Sequence, residues 1–504
     1  MPGHEPLYLG IDVGTSLVKA AIIDAGGEVR AVASRPLTLE HPAPGHVEQH
    51  VEQIWDGLLD VVGRARAEAA ADRVELAAVT GQGDGCWLVD ADGVAVRPAI
   101  SWMDGRAGDL LDRWTREGRT DQVFASTGSA LFPGAQGPIL AWLDQHEPES
   151  LDRAATAAYC KDVVFQRLTG ERATDVSDAS VPFGGGRGAS GDGADYDAGT
   201  LELLQLAHRS DLLAPVVRPL PAGVLTRDAA AQLDLPVGLA VTDGPYDLAA
   251  CAAGAGVVEP GDGLLIVGTT LACLVPTRTA APPPVATGDA DHVDRAGLLL
   301  ALPGGDRLQA MPAMVGTASL DWALALLGLD HEALGGLLAA SVPGAGGTRV
   351  LPYLAPSGER APFVDPRARG QLLGLSLTTT AADVVRGVCE GLAFTARQCL
   401  DAAGLTGRLV ACGGGTRSAP WMQLFATAIG RPVELVQSPE VGARGAVASA
   451  LRHRPDVVGD PPEVGSWAQP DLVIEPEPDL VAAYDELFER FLADQVEARA
   501  RWHR

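Results

Sequence analysis

The chain has 504 residues, a length that predicts two domains rather than one compact core. Its composition, 47% hydrophobic and 20% charged, is that of a globular protein. The formal net charge of −27 disfavours nucleic acid and anionic membranes as partners, although solubility alone also explains such a charge.

The cysteines and the N-terminus bear on the compartment. The seven cysteines include no CxxC pair, which indicates reduced thiols rather than a disulfide framework or a metal site. The N-terminal residues have neither the basic region nor the apolar region of a signal peptide. We therefore expect a cytoplasmic protein that does not bind membranes.

The chain opens with three apolar runs of strand length, at residues 7–13, 17–23 and 29–33. Polar and glycine-rich turns separate them, which predicts a meander of three strands. Residues 51–69 follow with helical periodicity, and residues 76–80 have the composition of a buried strand. Strands that alternate with helices predict an α/β layer structure.

The turn after the first run carries groups suited to a phosphate ligand. A strand would bring the carboxylate of Asp12 to its end, where it can hold Mg²⁺. Gly14 lets backbone amides approach phosphate oxygens, the Thr15 and Ser16 hydroxyls can donate to them, and Lys19 can balance their charge. An ordinary hairpin with polar turn residues explains this pattern equally well.

A fainter copy of this pattern occupies residues 264–275, where Gly268, Thr269 and Thr270 separate two apolar runs. A second such turn favours the phosphate interpretation and predicts a duplicated fold, although similar turns also arise by chance. We place the domain boundary near residue 245 and expect loops at residues 182–194 and 276–293.

A turn at residues 242–246 leads into a helix of small residues, with Asp247 near its N-terminus. This aspartate could be a plain N-terminal cap, which is the commoner use of the pattern. It could instead be a general base that takes the proton of a substrate hydroxyl attacking a phosphate. On the sequence alone, Asp243 competes for this role.

Two kinds of ligand-binding loop follow apolar strands elsewhere. Gly414 and Gly415 belong to a glycine triplet between a strand and a helix, where a nucleoside could approach closely. Two other loops combine hydrogen-bonding groups with a flat aromatic ring, as a hydroxyl-rich ligand requires, although each alone is more often a structural turn. Their candidate residues are Gln82, Gly83, Asp84, Trp102, Asp104 and Arg106.

These motifs and their order resemble the FGGY carbohydrate kinases, members of the hexokinase, actin and Hsp70 superfamily. The resemblance runs from about residue 7 to residue 452. It rests on GIDVGTS at 10–16, SWMDGRA at 101–107, YDLAACAAGAG at 246–256, GGGTRSAPWMQLFATAIGRPV at 413–433 and ARGAVASAL at 443–451.

The resemblance implies an α/β fold of two RNase H-like (actin/hexokinase/Hsp70-type) domains with a cleft between them. The N-terminal domain, residues 1–245, would carry the substrate site and the first phosphate loop. The C-terminal domain, residues 246–504, would carry the second phosphate loop and the adenosine motif. The implied cofactors are ATP and Mg²⁺, and dimers are common in the family, which suggests a homodimer.

Roles follow by position in the family motifs. Asp247 matches the catalytic aspartate, which selects it over Asp243. The first phosphate loop corresponds to Asp12, Gly14, Thr15 and Ser16, the second to Gly268, Thr269 and Thr270, the adenosine motif to Gly414 and Gly415, and the substrate contacts to Gln82, Gly83, Asp84, Trp102, Asp104 and Arg106.

The sequence departs from the best-known subgroups at the substrate motifs. Xylulokinases usually carry Met-His where this chain has Gly83-Asp84, and Asn after the catalytic aspartate where it has Leu248; glycerol kinases carry Gln there. The GQGDG-W pattern at 81–87 is more similar to erythritol kinases. We therefore expect phosphorylation of a terminal hydroxyl of a small, erythritol-like polyol.

Three alternatives remain open at this stage. One is a ketopentose kinase, either a xylulokinase or a ribulokinase. The second is a non-catalytic sugar sensor on the same fold, which the presence of Asp247 disfavours. The third is a filament-forming or chaperone-like protein with an actin fold, which the hydroxyl-binding loops disfavour.

Overall fold

The computed structural model describes residues 6–71, 73–184, 196–279, 295–436, 438, 440–458 and 461–503. Most of the two predicted loops, residues 182–194 and 276–293, lies outside these ranges.

The strands are β1 (Leu7–Val13), β2 (Leu17–Asp24), β3 (Val29–Pro36), β4 (Glu48–Gln49), β5 (Leu76–Gly81), β6 (Trp87–Val89), β7 (Ala99–Ile100), β8 (Thr156–Ala158), β9 (Ala222–Val224), β10 (Ala240–Asp243), β11 (Gly263–Val267), β12 (Leu271–Thr277), β13 (Leu298–Ala301), β14 (Arg307–Ala313), β15 (Arg349–Leu351), β16 (Gln371–Leu373), β17 (Leu409–Cys412), β18 (Val433–Leu435) and β19 (Leu472–Ile474).

The α-helices are α1 (Val51–Glu68), α2 (Gly108–Arg116), α3 (Arg119–Thr127), α4 (Gln136–His146), α5 (Pro148–Arg153), α6 (Cys160–Thr169), α7 (Val176–Phe183), α8 (Ala198–Leu203), α9 (Arg227–Leu233), α10 (Asp247–Gly254), α11 (Thr317–Leu327), α12 (Leu334–Ala340), α13 (Ala381–Ala403), α14 (Ala419–Ile429), α15 (Val441–His453) and α16 (Pro478–Trp502). Short 3₁₀ helices cover Ala207–Leu212, His331–Ala333, Ala345–Gly347, Gly414–Arg417, Pro455–Val457 and Val464–Ser466.

Two large mixed sheets repeat one arrangement. The first has the strand order β3-β2-β1-β5-β10-β9, and the second has the order β13-β14-β12-β11-β17-β18-β19. In each, an antiparallel hairpin (β1–β2 or β11–β12) is followed in the sheet by parallel neighbours, β5 and β10 or β17 and β18. The predicted α/β class and the duplicated pattern of an apolar strand, a Gly-Thr turn and a second strand are both present.

The chain forms two compact units, and each is discontinuous in sequence. The first contains residues 1–256, 299–308 and 440–468, and the second contains 257–298, 309–439 and 469–504. A single division near residue 245 was predicted, whereas the first unit continues through α10 and takes up α15 from far along the chain. Both α10 and α15 are rich in alanine and glycine, and no linker-like run of proline, glycine or charged residues directly precedes α15 to mark the crossing.

The core of the first unit forms as the sequence pattern predicts. Trp55, Leu58 and Val62 of α1 are buried with the apolar side chains of β1 and β2, and Leu59 packs at the edge of this cluster. Burying a large apolar side chain contributes about 1.5–3 kcal/mol, so one face of α1 stabilises the sheet substantially.

In the second unit, α16 closes the core with one apolar face. Pro478 occupies its first turn, where the missing N–H costs nothing. Tyr484, Phe488 and Phe491 pack around Phe394 of α13, with ring centroids 5.5–6.1 Å apart.

No single helix in the described ranges is long and apolar enough to cross a membrane. The pair Thr317–Leu327 and His331–Ala340 passes the same test of length and composition only when taken together, and it is bent by 101°.

One buried carboxyl of the second unit should make stability depend on pH. Glu359 is 3% exposed, and its Oε1 accepts hydrogen bonds from the backbone N–H groups of Met314, Arg360 and Ala361. Burial raises the pKa of Glu359 to about 7, although the three hydrogen bonds lower it. A raised folded-state pKa gives stability that is full below the unfolded pKa, 4.5 here, and lost as the pH rises through about 7.

We therefore expect that Glu359→Gln, which mimics the neutral acid, removes the part of the pH dependence of stability that Glu359 causes. Relative to the wild type, the variant should gain about 3 kcal/mol of unfolding free energy between pH 4.5 and pH 8, because each pKa unit corresponds to about 1.4 kcal/mol. Denaturant titrations at both pH values measure the difference. If the unfolding free energies of the wild type and the variant differed by the same amount at both pH values, the pKa of Glu359 would not be raised by folding.

Candidate active site

The predicted first phosphate loop is the tight turn between β1 and β2. The N–H of Gly14 donates to the carbonyl of Leu17 at 3.0 Å, and Ser16 is exposed at the tip of the turn. Asp12 is the penultimate residue of β1, beside this turn. Burial raises the pKa of its carboxyl, and the nearby positive charge of Lys19 opposes that rise.

Lys19 forms an ion pair with Glu440, with Nζ and Oε2 3.2 Å apart. Burial lowers the pKa of Lys19, but Glu440 and Asp12 outweigh burial, so the net shift is upward and the side chain stays charged. Sequence reasoning missed Glu440, which lies 421 positions from Lys19. The chain thus places a lysine between two carboxylates at the end of β1.

Glycine at two positions lets α15 lie against β1 and its aspartate. A Cβ on Gly442 would come within 2.7 Å of Asp12 Oδ2, and one on Gly10 would come within 2.5 Å of the Ala443 carbonyl oxygen. The N-terminus of α15 therefore approaches the Asp12 carboxylate, where the helix dipole favours a negative charge.

A hydrogen-bonded chain joins Thr15 to two of the predicted substrate residues. The Thr15 hydroxyl donates to Gln82 Oε1 at 3.1 Å and accepts from Trp102 Nε1 at 2.8 Å. Gln82 Nε2 donates to Gln49 Oε1 at 2.9 Å, and Gln49 Nε2 returns to the Thr15 carbonyl at 3.2 Å. The first predicted phosphate loop and the predicted substrate loops are therefore one connected structure.

Asp84 and Gly83 lie beside the turn that precedes Asp247. Asp84 is 1% exposed, and its Oδ2 accepts the hydroxyl hydrogen of Tyr246 at 2.9 Å. Asp84 also has a φ of +54°, a conformation in which aspartate is one of the better tolerated residues.

The side chains of Asp104 and Arg106 are buried and bind each other. Arg106 donates to both oxygens of Asp104 at 2.9 Å and to Glu48 at 2.7 Å, and its guanidinium lies 5.2 Å from the ring centre of Trp142. Asp104 Oδ2 also accepts from the N–H of Val47 at 2.6 Å. Here the two side chains brace the loop that carries Trp102, and their contact with a substrate stays a prediction.

Asp247 is the first residue of α10, as the pattern predicts, and the turn before it is held from three sides. The N–H of Tyr246 donates to Ser177 Oγ at 2.8 Å. The Thr80 hydroxyl donates to the Pro245 carbonyl at 2.6 Å, and the N–H of Gly244 donates to the Val79 carbonyl at the same distance. These contacts fix the direction in which the helix begins.

Asp243, the rival candidate for the general base, lies in a buried ionic cluster. Lys161 Nζ is 2.7–3.2 Å from one oxygen of each of four buried carboxylates, Asp162, Asp175, Asp178 and Asp243. Burial lowers the pKa of Lys161, but the four aspartates raise it well above the usual value.

The aspartates of this cluster outnumber its lysine. Burial raises the pKa values of Asp178 and Asp243, and Lys161 opposes both rises. Asp243 is fully buried in this ion pair, so the structure gives it a supporting position at the base of the turn that leads to Asp247. The choice of Asp247 over Asp243 as the general base stays a prediction.

In the second unit, the Gly268–Thr270 turn mirrors the turn of the first. The N–H of Gly268 donates to the Thr270 carbonyl at 3.1 Å. The carbonyls of Gly268 and Thr269 accept from the N–H groups of Thr317 and Gly316 at 2.8 and 2.9 Å, which fastens the turn to the start of α11.

The glycine triplet has a packing role at two of its three positions. Cβ atoms on Gly413 and Gly415 would lie 2.7 and 2.4 Å from atoms of Val267 in β11, so both glycines are needed for close approach. Gly414 has more room, since its Cβ would meet only the end of Arg417 at 3.5 Å. Packing therefore does not explain why position 414 is a glycine.

Two family models match the chain. The N-terminal domain of the FGGY family of carbohydrate kinases matches residues 7–254, and the C-terminal domain of that family matches residues 267–453. The chain belongs to the FGGY family of carbohydrate kinases. It is therefore a phosphotransferase with an alcohol group as acceptor.

Named relatives of this FGGY kinase cover nearly its whole length. The erythritol kinase of Brucella abortus is 34% identical, over 96% of this chain and 94% of its own. The xylulose kinase of Escherichia coli is 31% identical, over 86% of this chain and 87% of its own. The crystal structure of the xylulose kinase from Rhodospirillum rubrum superposes with a TM-score of 0.84 at 29% identity, over 99% and 100%. The predicted actin-type fold with two RNase H-like domains is confirmed.

FGGY kinases use ATP, generally with Mg²⁺. Among the described residues, no group of three or more His, Cys, Asp or Glu side chains forms a ready-made metal site. A single carboxylate such as Asp12 fits Mg²⁺ chemistry, because this ion is usually held by one or two carboxylates together with substrate phosphates.

Proposed function

We propose that this FGGY kinase transfers the γ-phosphoryl group of ATP to a terminal hydroxyl of a small linear polyol of the erythritol class. The observation that carries the proposal is the buried carboxylate of Asp84, bonded to the residue that precedes Asp247. An ionised carboxylate accepts hydrogen bonds from several hydroxyls, which suits a neutral acceptor made of hydroxyl groups alone. The full-length similarity to an erythritol kinase supports the same acceptor.

In this mechanism Asp247 is the general base. Its carboxylate takes the proton of the acceptor hydroxyl, so that the oxygen can form a bond to the γ-phosphorus while the bond to the ADP oxygen breaks. The dipole of α10 favours the carboxylate form of Asp247 before the proton arrives. The contacts of Ser177 and Thr80 with the preceding turn hold this base in position.

The remaining proposed roles concern the nucleotide. Asp12 would hold Mg²⁺, which neutralises phosphate charge when bound, and Lys19 would add a positive charge nearby. The amides and hydroxyls of Gly14, Thr15 and Ser16 would donate to phosphate oxygens. Further donors would come from Gly268, Thr269 and Thr270, and Gly414 and Gly415 would line the adenosine site.

The substrate roles rest on the connected loops of the first unit. Gln82 and Trp102 are linked through Thr15 and would contact acceptor hydroxyls together with Asp84. Gly83 would leave room beside them for the ring of Tyr246, and Asp104 and Arg106 would fix the loop. The homodimer and the cytoplasmic location stay predictions.

The test is ADP release from the wild type with ATP, Mg²⁺ and a panel of acceptors. Turnover with erythritol and little with xylulose or ribulose is the expected result. The alternative, a ketopentose kinase, is favoured by the similarity to xylulose kinases, and preferred turnover of xylulose or ribulose would replace the polyol proposal with it.

Asp84→Asn should weaken acceptor binding. Asparagine also tolerates a positive φ, so the change removes charge while keeping the backbone. Loss of one hydrogen bond to a charged group, worth about 1.5–3 kcal/mol, should raise the acceptor KM about tenfold or more with a smaller change in kcat. Steady-state kinetics with erythritol measure both constants.

Asp234→Asn is the matched control, because Asp234 also has a positive φ, +52°, but its side chain is 99% exposed. If Asp84→Asn left both acceptor affinity and acceptor preference as they are in the control, Asp84 would have no part in recognition.

A further inference from the structure

The aromatic ring of Tyr246 lies directly on the backbone of Gly83. A Cβ built on Gly83 would be 1.9 Å from Cε2 of that ring and 2.2 Å from Cζ. Non-bonded carbon atoms rest about 3.5–4.0 Å apart. A side chain at position 83 and the ring of Tyr246 therefore exclude each other, and in this chain the ring takes the space.

The hydroxyl of the same tyrosine holds Asp84. Its bond to Asp84 Oδ2 is 2.9 Å long, and both side chains are buried, Tyr246 to 7% exposure and Asp84 to 1%. The next residue, Gly85, has a φ of +68° and packs so closely that a Cβ would lie 2.7 Å from the Ile100 carbonyl oxygen. Asp84 is thus fixed by its backbone on one side and by the Tyr246 hydroxyl on the other.

The backbone of Tyr246 is held together with that of Asp247. Its N–H is bonded to Ser177 Oγ, and Ser177 in turn donates its hydroxyl to Asp175 at 2.7 Å. Its carbonyl accepts the N–H of Ala250 in the first turn of α10, which begins at the adjacent Asp247. The residue that carries the ring and the proposed base are therefore neighbours on one anchored stretch of backbone, and the Tyr246 hydroxyl links Asp84 to that stretch.

We infer that Tyr246 is a specificity-determining residue that limits the size of the acceptor. Its ring fills the volume beside Gly83, and its hydroxyl orients the Asp84 carboxylate, so that short, hydroxyl-only chains fit and longer ones do not. This inference rests on the proposed function, since it assigns the substrate selectivity of the same site.

The experiment compares kcat/KM for erythritol and for xylitol, a five-carbon polyol, in the full chain. Tyr246→Ala should shift the ratio toward xylitol by about tenfold or more, because removing the ring opens space for the additional CHOH unit of xylitol, and even one methylene in an apolar pocket changes kcat/KM by about 10- to 200-fold. Tyr246→Phe keeps the ring and should leave the ratio unchanged, while raising both KM values about tenfold by removing the bond to Asp84.

Gly83→Ala supplies the second side of a double-mutant cycle. Alone, it should reduce kcat/KM for both acceptors, because its methyl group overlaps the ring. In the Tyr246→Ala background, Gly83→Ala should reduce kcat/KM far less than it does in the wild type, because the ring that its methyl group would overlap is absent. Gly63→Ala is the matched control, because a Cβ on Gly63 meets nothing within 4 Å.

The outcomes separate this inference from the proposed function. An unchanged erythritol-to-xylitol ratio in Tyr246→Ala, or purely additive effects in the cycle, overturns the size limit and leaves the kinase proposal standing. An absence of acceptor-dependent turnover by the wild type with every polyol overturns the proposed function and the inference with it. Should Tyr246→Ala fail to fold, Tyr246→Leu replaces it, because leucine also frees part of the volume of the ring, and an unchanged erythritol-to-xylitol ratio in that variant overturns the size limit. An unchanged KM in Tyr246→Phe overturns the role of the hydroxyl.

Discussion

Asp247→Asn should lower the kcat for acceptor-dependent ADP release by about 100- to 10,000-fold, the range that general-base catalysis contributes. Asparagine keeps the size of the side chain but cannot accept a proton at neutral pH. The Ser177 and Thr80 hydroxyls and the Val79 carbonyl all bind the backbone of the turn before α10, so the helix should begin as in the wild type. The acceptor KM should therefore change much less than kcat.

The matched control for this variant is Asp228→Asn. Asp228 also lies in the first turn of a helix, α9, in the same unit, but it is exposed. The control carries the same change of charge near a helix N-terminus and should keep the wild-type kcat. A kcat for Asp247→Asn within a few-fold of the control would remove Asp247 from the mechanism.

Lys161→Met should strongly destabilise the first unit. The substitution leaves four carboxylates, each at most 2% exposed, without the cation that they surround. Removing one partner of a buried ion pair typically costs about 3–5 kcal/mol. Unfolding in denaturant at pH 8 should show a loss of this size, because the remaining charges are buried and repel one another.

The pH dependence of this loss follows from the carboxyl pKa values. Burial raises the pKa of Asp178 and of Asp243, and Lys161 is the cation that opposes both rises. A raised folded-state pKa means that stability is full below the unfolded value and is lost as the pH rises. Without Lys161 the folded-state pKa values of both carboxyls rise further. The variant should therefore lose less stability at pH 5, where these carboxyls are more often protonated, than at pH 8.

A second substitution tests whether charge causes the loss. Asp243→Asn in the Lys161→Met background removes one of the unpaired carboxylates and should recover part of the lost stability at pH 8. If Lys161→Met cost less than about 1 kcal/mol, the value of an exposed ion pair, the cluster would not depend on its lysine.

Local sequence patterns predicted the elements that carry the site. Asp12 at the end of a strand and Asp247 at the start of a helix were both visible, because each depends on residues within one turn of itself. The second Gly-Thr turn at Gly268 was visible for the same reason. Hydrophobic periodicity similarly predicted the buried face of α1.

The long-range partners could not be predicted in this way. Glu440 reaches Lys19, and Lys161 reaches Asp243, only because the sheet and α15 bring distant segments together. The one local signal for the cluster was the placement of Lys161 and Asp162 directly before the apolar run at residues 163–165, where a buried charge must be paired. Similarly, nothing in the spacing of Asp104 and Arg106 showed that they would bind each other.

The most direct test of the account is to identify the product made from ATP and erythritol. The wild type, Asp247→Asn and Asp228→Asn are incubated with both substrates and Mg²⁺, and the products are analysed by mass spectrometry and ³¹P NMR. The account predicts an erythritol monophosphate with the phosphate on a terminal carbon, formed by the wild type and by Asp228→Asn and almost absent with Asp247→Asn. Formation of this product at equal rates by all three proteins, or ADP release without any phosphorylated polyol, would contradict it.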